Sequence, residues 1–298
     1  MAAELVKELI QSGIHFGHRI SRWNPKMQPY IFGRRNLIHI INVKETVKGL
    51  LLAKKFLAQT VSNGKDVLLV GTKRQARKAV EEGAEQVGMH CVSNRWLGGM
   101  LTNFREIRKR VGRLEQLEQM EADGLMDAYS KKEGSSLRRE MRKISRNLSG
   151  IRKMQKLPGA MVVIDQKREI IAIREANKLH IPVICLLDTE CDPDLVDIPI
   201  PGNDDAMRAI QIIVSQLCEA IAEGAGIRGK ATDQPASATA PRRRSRRRPM
   251  GTAEQAHEPA TATDAKPAEP ASQAPVAKKD PPADQPPQAD QADAPTDQ

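Results

Sequence analysis

Short, uninterrupted apolar runs constrain the fold of this chain more than any other feature of its sequence. Three of them, Val67–Val70, Ala160–Ile164 and Val183–Leu187, are separated by segments with helical periodicity. A strand that is apolar at every position must be covered on both faces, as in a parallel sheet with helices on each side. We therefore predict an α/β fold, built by right-handed crossovers into a doubly wound layer structure.

The flanking segments extend this alternation of strands and helices. Further strands are predicted at 37–41, 91–92 and 198–200. Helices are predicted at 2–12, 45–61, 74–87, 167–179 and 204–222. Residues 14–29 are predicted to be a loop because Gly17, Pro25 and Pro29 punctuate them.

A different apolar periodicity lies between the strands predicted at 91–92 and 160–164. It indicates two helices, with Gly124 and Gly134 bracketing their connection. The apolar positions along one face of each helix are Ile107, Val111, Leu114, Leu117 and Met120 in the first and Leu137, Met141, Ile144, Leu148 and Ile151 in the second. The second set is spaced by 4, 3, 4 and 3 residues, which is the heptad spacing of packed helices. We predict an antiparallel coiled-coil hairpin over 103–156, inserted into a sheet domain made of 1–102 and 157–228.

Positive charge is concentrated in this predicted hairpin. The 298-residue chain has 47 basic and 37 acidic side chains, a net charge of +10. Residues 104–156 contain 15 basic and 8 acidic residues, a net charge of +7. A hairpin whose faces are merely solvated would carry nearly balanced charges. The excess therefore favours a polyanionic partner.

The C-terminal part of the chain differs in composition from the rest. From Ala231 onward it contains 12 of the 19 prolines and no aromatic residue, with 9 basic and 10 acidic side chains. Such a segment cannot bury enough apolar surface to order itself. We predict a disordered Pro/Ala/Gln/Asp-rich tail over 229–298. Its arginine block at 242–248 is either a nonspecific RNA contact or an unselective linker.

The cysteines and the N-terminus indicate a cytoplasmic protein with no membrane partner. The four cysteines include no CxxC pair, as is typical of reduced and buried thiols. No apolar stretch approaches the roughly 20 residues that cross a bilayer. The first nine residues include Glu4 and Glu8 and lack the apolar region of a secretory signal.

The segment NRWLGGMLTNF at 94–104 combines the side chains expected of an RNA-binding surface. The adjacent Gly98 and Gly99 allow a tight bend that residues with a Cβ would resist. Four cations follow within six residues of a predicted helix. Arginines bind phosphates or stack on bases, and aromatic rings stack on bases. The candidate RNA-binding residues here are Arg95, Trp96, Thr102, Asn103, Arg105, Arg108, Lys109 and Arg110.

Two further groups of residues suit the same chemistry. Arg22, Trp23 and Lys26 form an aromatic-basic patch with Tyr30 and the arginines at 34–35. Lys73 and Arg74 begin the helix predicted after Val67–Val70, where free N–H groups favour anions. The indoles of Trp23 and Trp96 have an alternative role as anchors that pack loops on the sheet.

Catalytic and metal chemistry find little support in the sequence. No nucleophile with a neighbouring base, no GxGxxG and no phosphate-binding GxxxxGK[ST] motif is present, so neither catalytic residues nor a cofactor are expected. His15 and His18 could form a metal site with the acidic residues Asp188, Asp192, Asp204 and Asp205. Asp188 and Asp204 would otherwise cap helices or order loops. We predict no metal, because the set lacks a defined ligand spacing.

Several motifs in one register resemble the bacterial family of small-subunit ribosomal protein S2. They are GIHFGH (13–18), RWNPKM (22–27), PYIFG (29–33), RWLGG (95–99), LTNF (101–104), CDPD (191–194) and PIPGNDDA (199–206). The resemblance extends from about residue 4 to about residue 225. Glu45 and Glu190 stand where the family often has Lys and Asn, and the tail lies outside the family's common core.

The resemblance implies a fold, a location and partners. The fold would be a flavodoxin-like parallel sheet with a projecting coiled-coil hairpin. The partners would be small-subunit rRNA and neighbouring proteins including ribosomal protein S1, with no small-molecule substrate. The rRNA-facing positions would include Arg95, Trp96, Thr102, Asn103 and Arg105, and also Arg22 and Lys26. We therefore predict a structural, ribosome-associated constituent that binds rRNA and supports translation. The alternative is a nucleotide-dependent α/β enzyme with a helical insertion.

Overall fold

The computed structural model describes residues 2–232, which form seven α-helices, five short 3-10 helices and eight strands. The helices are α1 (Ala2–Gln11), α2 (Val43–Ser62), α3 (Arg77–Val87), α4 (Phe104–Ala122), α5 (Lys131–Leu148), α6 (Ile170–Lys178) and α7 (Met207–Thr232). The strands are β1 (Phe16–Arg19), β2 (Ile31–Arg35), β3 (Ile38–Ile41), β4 (Val67–Val70), β5 (His90–Val92), β6 (Ala160–Ile164), β7 (Val183–Leu187) and β8 (Ile198–Pro201). The last helix ends at Thr232 and so includes the first four residues of the predicted tail, and the rest of that tail lies outside the described residues.

Five strands form a wholly parallel sheet with the order β5-β4-β6-β7-β8. Counted along the chain within this sheet, the order is 2-1-3-4-5, which is the flavodoxin-like arrangement. The predicted doubly wound α/β fold is therefore confirmed. The strand order reverses between β4 and β6, so ligands of such a sheet would enter beside the carboxyl ends of these two strands.

Each central strand divides its side chains between two cores. Val67 and Leu69 point to a core shared with α2, α3 and α7, whereas Leu68 and Val70 point to a core shared with α4 and α6. Successive side chains of a strand alternate between faces, and here both faces are covered. This explains why the strands are apolar at every position.

A second sheet of three antiparallel strands, ordered β1-β3-β2, precedes the parallel sheet. The prediction of a loop over 14–29 is therefore wrong for β1, and β2 was not predicted. The β2–β3 turn consists of Asn36 and Leu37, whose φ angles of 49° and 61° are left-handed, as in a tight hairpin. The sheet is tied to the end of β7, because the amide of Asn24 donates to the carbonyl of Thr189 at 2.8 Å.

Helices α4 and α5 follow β5 and precede β6, as the sequence predicts for the insertion. Ion pairs between Arg113 and Glu140 (3.8 Å) and between Glu121 and Arg138 (3.7 Å) link the two helices in antiparallel order. The apolar positions Ile107, Val111, Leu114 and Leu117 of α4 are buried. Gly134, predicted to bracket the connection, lies inside α5 instead. The coiled-coil packing of this pair stays a prediction.

Helix α7 is long and apolar enough, over Met207–Arg228, to cross a membrane by length and composition alone. The sequence analysis found no such stretch. The helix packs along α2 and α3, and its apolar stripe, which includes Ile210, Ile213 and Leu217, is buried in the first core. Its composition is therefore that of a core helix.

Candidate nucleic-acid interface

The carboxyl ends of β4, β6 and β8 meet around one lysine ammonium. Lys73 Nζ lies 2.8 Å from Asp204 Oδ1, 2.6 Å from Asp205 Oδ1 and 3.5 Å from Asp165 Oδ2. Burial opposes its charge, but the hydrogen bonds to Asp204 and Asp205 outweigh burial and raise the pKa of Lys73. The predicted phosphate-binding lysine is thus held inside the sheet edge by carboxylates.

A second cation, from β1, closes the same edge. His18 Nδ1 lies 2.8 Å from Asp188 Oδ2, just after β7, and this hydrogen bond raises the pKa of His18 to about 9. The imidazole is therefore protonated at neutral pH. Burial, together with the neighbouring Asp165, raises the pKa of Asp204 to about 7. The edge thus holds more carboxylates than cations, and burial favours the protonated form of one of them, Asp204.

This arrangement disfavours a bound nucleotide. The backbone amide of Thr72, which would face a phosphate at this position, donates instead to the carboxylate of Glu169 at 3.0 Å. With Asp165, Asp188 and Asp204 nearby, an incoming phosphate would meet negative charge at the place where flavodoxin-like folds bind ligands. The alternative of a nucleotide-dependent enzyme therefore has no support in the geometry of the site.

Part of the metal set considered from the sequence comes together at this edge. His18, Asp188 and Asp204 offer one ligand atom each, all within 4.8 Å of one another. His15 is not part of this group. Since the Nδ1 of His18 already bonds Asp188, and Asp204 already pairs with Lys73, the charges of the group are balanced from within the protein.

The RWLGGMLTN loop is organised by one buried carboxylate that the sequence analysis missed. Glu175 of α6 accepts hydrogen bonds at its Oε1 from Trp96 Nε1 (3.2 Å) and the amide of Gly99 (2.7 Å). Its Oε2 accepts from the amides of Leu101 (3.0 Å) and Thr102 (3.2 Å) and from the Thr102 hydroxyl (3.2 Å). Burial would raise the pKa of Glu175, but these bonds outweigh burial and lower it.

This bonding decides the role of Trp96. Only 8% of the residue is exposed, and its ring packs in the second core, so of the two roles open to it the structure favours the anchor. Gly99 adopts a φ of 88°, which is the left-handed bend expected of the glycine pair. Thr102 and Asn103 remain exposed directly before α4.

The cations of this loop and of the start of α4 have different environments. Arg108 donates from Nη1 to the carbonyls of Arg152 (3.0 Å) and Met154 (3.1 Å), and Lys109 pairs with Glu106 at 2.6 Å. Arg95, Arg105 and Arg110 are exposed and, within the described part of the chain, have no carboxylate at ion-pair distance. Arg95 and Arg110 line one cleft together with Arg113 and Lys143 of the helix pair, and Glu140, the partner of Arg113, lines it as well.

The other predicted RNA-binding residues lie apart from this loop. Arg22 and Arg74 are exposed, and Trp23 is half-buried with its ring 5.2 Å from the imidazole of His39. Lys26 is committed to Asp192 (2.8 Å) and Asp194 (2.6 Å), which follow β7. The structure thus groups the residues of the 95–110 segment and leaves Arg22 and Trp23 beside the antiparallel sheet.

The fold and its surface define a flavodoxin-like α/β protein whose usual ligand-binding edge is closed by ion pairs and whose unpaired cations lie outside that edge. The family model described as ribosomal protein S2 matches residues 9–224. This chain belongs to the ribosomal protein S2 family, and the resemblance found in its sequence is confirmed. It is accordingly a ribosomal protein and not an enzyme.

Relatives that carry the name small ribosomal subunit protein uS2 agree with this assignment. The protein of Rhodopirellula baltica is 55% identical over 227 residues, which cover 76% of this chain and 87% of the relative. That of Syntrophobacter fumaroxidans is 52% identical, covering 75% and 82% respectively. That of Synechocystis sp. is 52% identical, covering 73% and 81%.

Proposed function

We propose that this chain is a structural constituent of the small ribosomal subunit that binds small-subunit rRNA and so supports translation. Membership of the S2 family, and relatives named small ribosomal subunit protein uS2, support a place in the small subunit. We further propose that it acts in the cytoplasm on the ribosome and contacts neighbouring small-subunit proteins, including ribosomal protein S1, as the family resemblance implies.

The unpaired cations around the start of α4 carry the proposal for rRNA. Arg95, Arg105 and Arg110 are exposed and, within the described part of the protein, none of them has a carboxylate at ion-pair distance, although Glu106 lies near enough to Arg105 and Arg110 to interact with their charges. They lie on a loop that Glu175 fixes and on the helix that the loop enters, so they are held in place before RNA arrives. Contacts with phosphates dominate the affinity of such interfaces, and rRNA phosphates would supply the ion-pair partners that these arginines lack.

The remaining candidate residues take graded roles in this proposal. Lys26 and Lys109 already have carboxylate partners and would contribute less to phosphate binding than unpaired arginines. Lys73, Trp96 and Arg108 would position the surface through their internal bonds. Thr102 and Asn103 would add polar contacts beside the arginines. Arg22, Trp23 and Arg74 would form further contacts outside the loop.

The proposal is tested by charge reversal at the unpaired positions. The double variant Arg105→Glu, Arg110→Glu should weaken co-sedimentation with small subunits, and the difference in affinity from the unaltered chain should be largest at low salt and shrink as salt is raised, because the variant releases fewer counterions. The matched control is Lys55→Glu, Lys178→Glu, which makes the same charge change at exposed positions of α2 and α6. Equal co-sedimentation of both double variants with the unaltered chain would contradict the proposal.

A further inference from the structure

A cleft of about 550 Å³ opens where the loop before α4 meets the helix pair. Its lining includes four cations, Arg95, Arg110, Arg113 and Lys143, and a single carboxylate, that of Glu140. Glu140 lies 3.8 Å from Arg113. The other three cations have no carboxylate at ion-pair distance among the described residues. The cleft therefore attracts anions.

The same cleft has an apolar wall, which phosphate contacts alone do not explain. Leu97 of the loop and Ile144 of α5 are half-buried, and Leu148 is 1% exposed. Leu97 and Ile144 pack against the second core and still line the cleft. Sites that combine apolar walls with a few polar groups accept ligands that have an apolar body. The occupant must therefore carry both negative charge and apolar surface.

Hydrogen bonds hold the walls of this cleft in place before a ligand arrives. Asn94 Nδ2 donates to the carbonyl of Arg146 at 3.0 Å, which ties the loop to the end of α5. Glu175 accepts from the later part of the loop, and Arg108 ties the start of α4 to two carbonyls that follow α5. A preformed site loses little conformational freedom on binding, which favours a specific contact.

We propose that this cleft receives one unpaired nucleotide that projects from an rRNA helix. Its base would lie against Leu97 and Ile144, and its flanking phosphates would pair with Arg95 and Arg110. Unpaired bases are accessible in bulges, loops and ends of RNA helices, and guanidinium groups stack on them. The volume lies within the range of about 300–1,000 Å³ typical of sites for small ligands.

The inference rests on the proposed rRNA binding and adds that the protein selects an interrupted helix over a continuous duplex. RNA is favoured over an acidic peptide because Arg95 and Arg110 belong to the surface proposed for rRNA, so the cleft continues that surface. A base also supplies the apolar faces that match the wall, and the phosphates beside it supply the charge.

The inference is tested with three RNA hairpins that share one stem. The first is fully paired, the second has one bulged adenosine, and the third has the same bulge without its base. The full chain should bind the second hairpin about tenfold more tightly than the other two, the gain expected if roughly 50 Å² of apolar surface leaves water. The second and third hairpins carry equal numbers of phosphates, so electrostatic attraction cancels between them.

Two variants locate this preference in the cleft. Leu97→Gln and Ile144→Thr make the wall more polar and leave all four cations in place. Each should lower the preference for the bulged base to about threefold or less, because part of the apolar contact is lost. Binding of the hairpin without the base should not change. The control Leu137→Gln makes the same exchange at a half-buried leucine of α5 outside the cleft and should keep the preference.

A crosslink tests the same contact in assembled small subunits. A photo-crosslinker introduced at Lys143, an exposed residue that lines the cleft, should react with an rRNA nucleotide that is unpaired in its helix. A crosslink to a paired nucleotide or to a protein would overturn the inference.

The outcomes separate this inference from the proposed function. Equal affinity for the three hairpins, or an unchanged preference in Leu97→Gln and Ile144→Thr, would refute the nucleotide cleft while leaving rRNA docking in place. If the chain binds no hairpin and still co-sediments with subunits, the crosslink decides. Failure both to bind any hairpin and to co-sediment would defeat the proposed function itself.

Discussion

Two basic regions of this molecule look alike in sequence and differ in what their charges do. At the carboxyl edge of the parallel sheet, Lys73 and His18 lie among carboxylates and serve the fold. Around the start of α4, Arg95, Arg105 and Arg110 are exposed and have no carboxylate at ion-pair distance in the described part of the chain. A cation is available to RNA only where the protein has not already neutralised it.

The comparison also shows how a fold known for ligand binding can lose that use. The strand order places a crevice between β4 and β6. In this chain Lys73 pairs with Asp165 there, and Glu169 accepts the backbone hydrogen bond that a ligand would otherwise accept. The exposed charge instead lies on segments added to the sheet, namely the loop before α4, the helix pair and the antiparallel sheet. The fold therefore positions the proposed interface, but this interface does not use the ligand-binding crevice of the parallel sheet.

The largest expected effect is at the closed edge. Lys73→Met should lower the free energy of unfolding by about 3–5 kcal/mol at neutral pH, because it leaves Asp165 and Asp204 buried without their cation. The loss should be smaller near pH 5, where Asp204, whose pKa is about 7, is protonated. Urea unfolding measures both values. Lys78→Met, at an exposed lysine of α3, is the control. An equally small loss of stability in both variants would contradict the stabilising role of Lys73 at this edge.

Glu175→Gln should come next, with a loss of about 2–4 kcal/mol, since a side-chain amide can accept at one atom only and turns its NH₂ toward backbone donors. Because this carboxylate holds the loop that carries Arg95, binding to small subunits should weaken as well. Urea unfolding and co-sedimentation measure the two effects. Glu82→Gln, at an exposed position of α3, should change neither. Full stability in Glu175→Gln would refute the role assigned to this residue.

His18→Gln should reveal a pH-dependent contribution of about 1.5–3 kcal/mol, the size of a hydrogen bond to a charged group. The folded pKa of about 9 exceeds the unfolded value of about 6.5, so the contribution is full below pH 6.5 and is lost as pH rises through 9. The difference in unfolding free energy between the unaltered chain and the variant, measured from pH 6 to pH 10, should shrink accordingly. His15→Gln is the control, because burial lowers the pKa of His15. A difference that stays constant with pH would contradict the pairing with Asp188.

The sequence predicted the parallel sheet well because its strands carry an unambiguous signal. Ala160–Ile164 and Val183–Leu187 are apolar throughout, and only a strand covered on both faces needs that composition. Strand β1 escaped prediction because its four residues, FGHR, include a glycine and two polar side chains and give no alternation to detect. The residues of β3 that pair with it lie 19 and 24 positions further along the chain, so the sheet is a tertiary effect.

The candidate site was less predictable because pairing depends on distant partners. The sequence around Lys73 predicts a phosphate ligand at the start of a helix. Its actual partner, Asp204, is 131 residues away in the chain, so the sequence does not reveal the pairing. Glu175 reads as one exposed acid of a helix, since its five donors come from a loop more than 70 residues earlier. A weak signal existed for it: Glu175 shares a helix face with the buried Ala172 and Ala176, where solvent is not expected.

The smallest effect on stability is expected at the exposed arginines near the start of α4. It separates most directly a cation without an ion-pair partner from a paired one. Arg95→Gln should leave the free energy of unfolding unchanged, because the residue is exposed and forms no ion pair among the described residues. If this arginine neutralises one rRNA phosphate, the slope of log affinity against log salt should decrease by about 0.7–0.9. Lys26→Gln provides the contrast: that lysine is already paired with Asp192 and Asp194, so its removal should change the slope less. Equal slopes for Arg95→Gln and the unaltered chain would mean that an unpaired cation is no better a guide to the interface than a paired one.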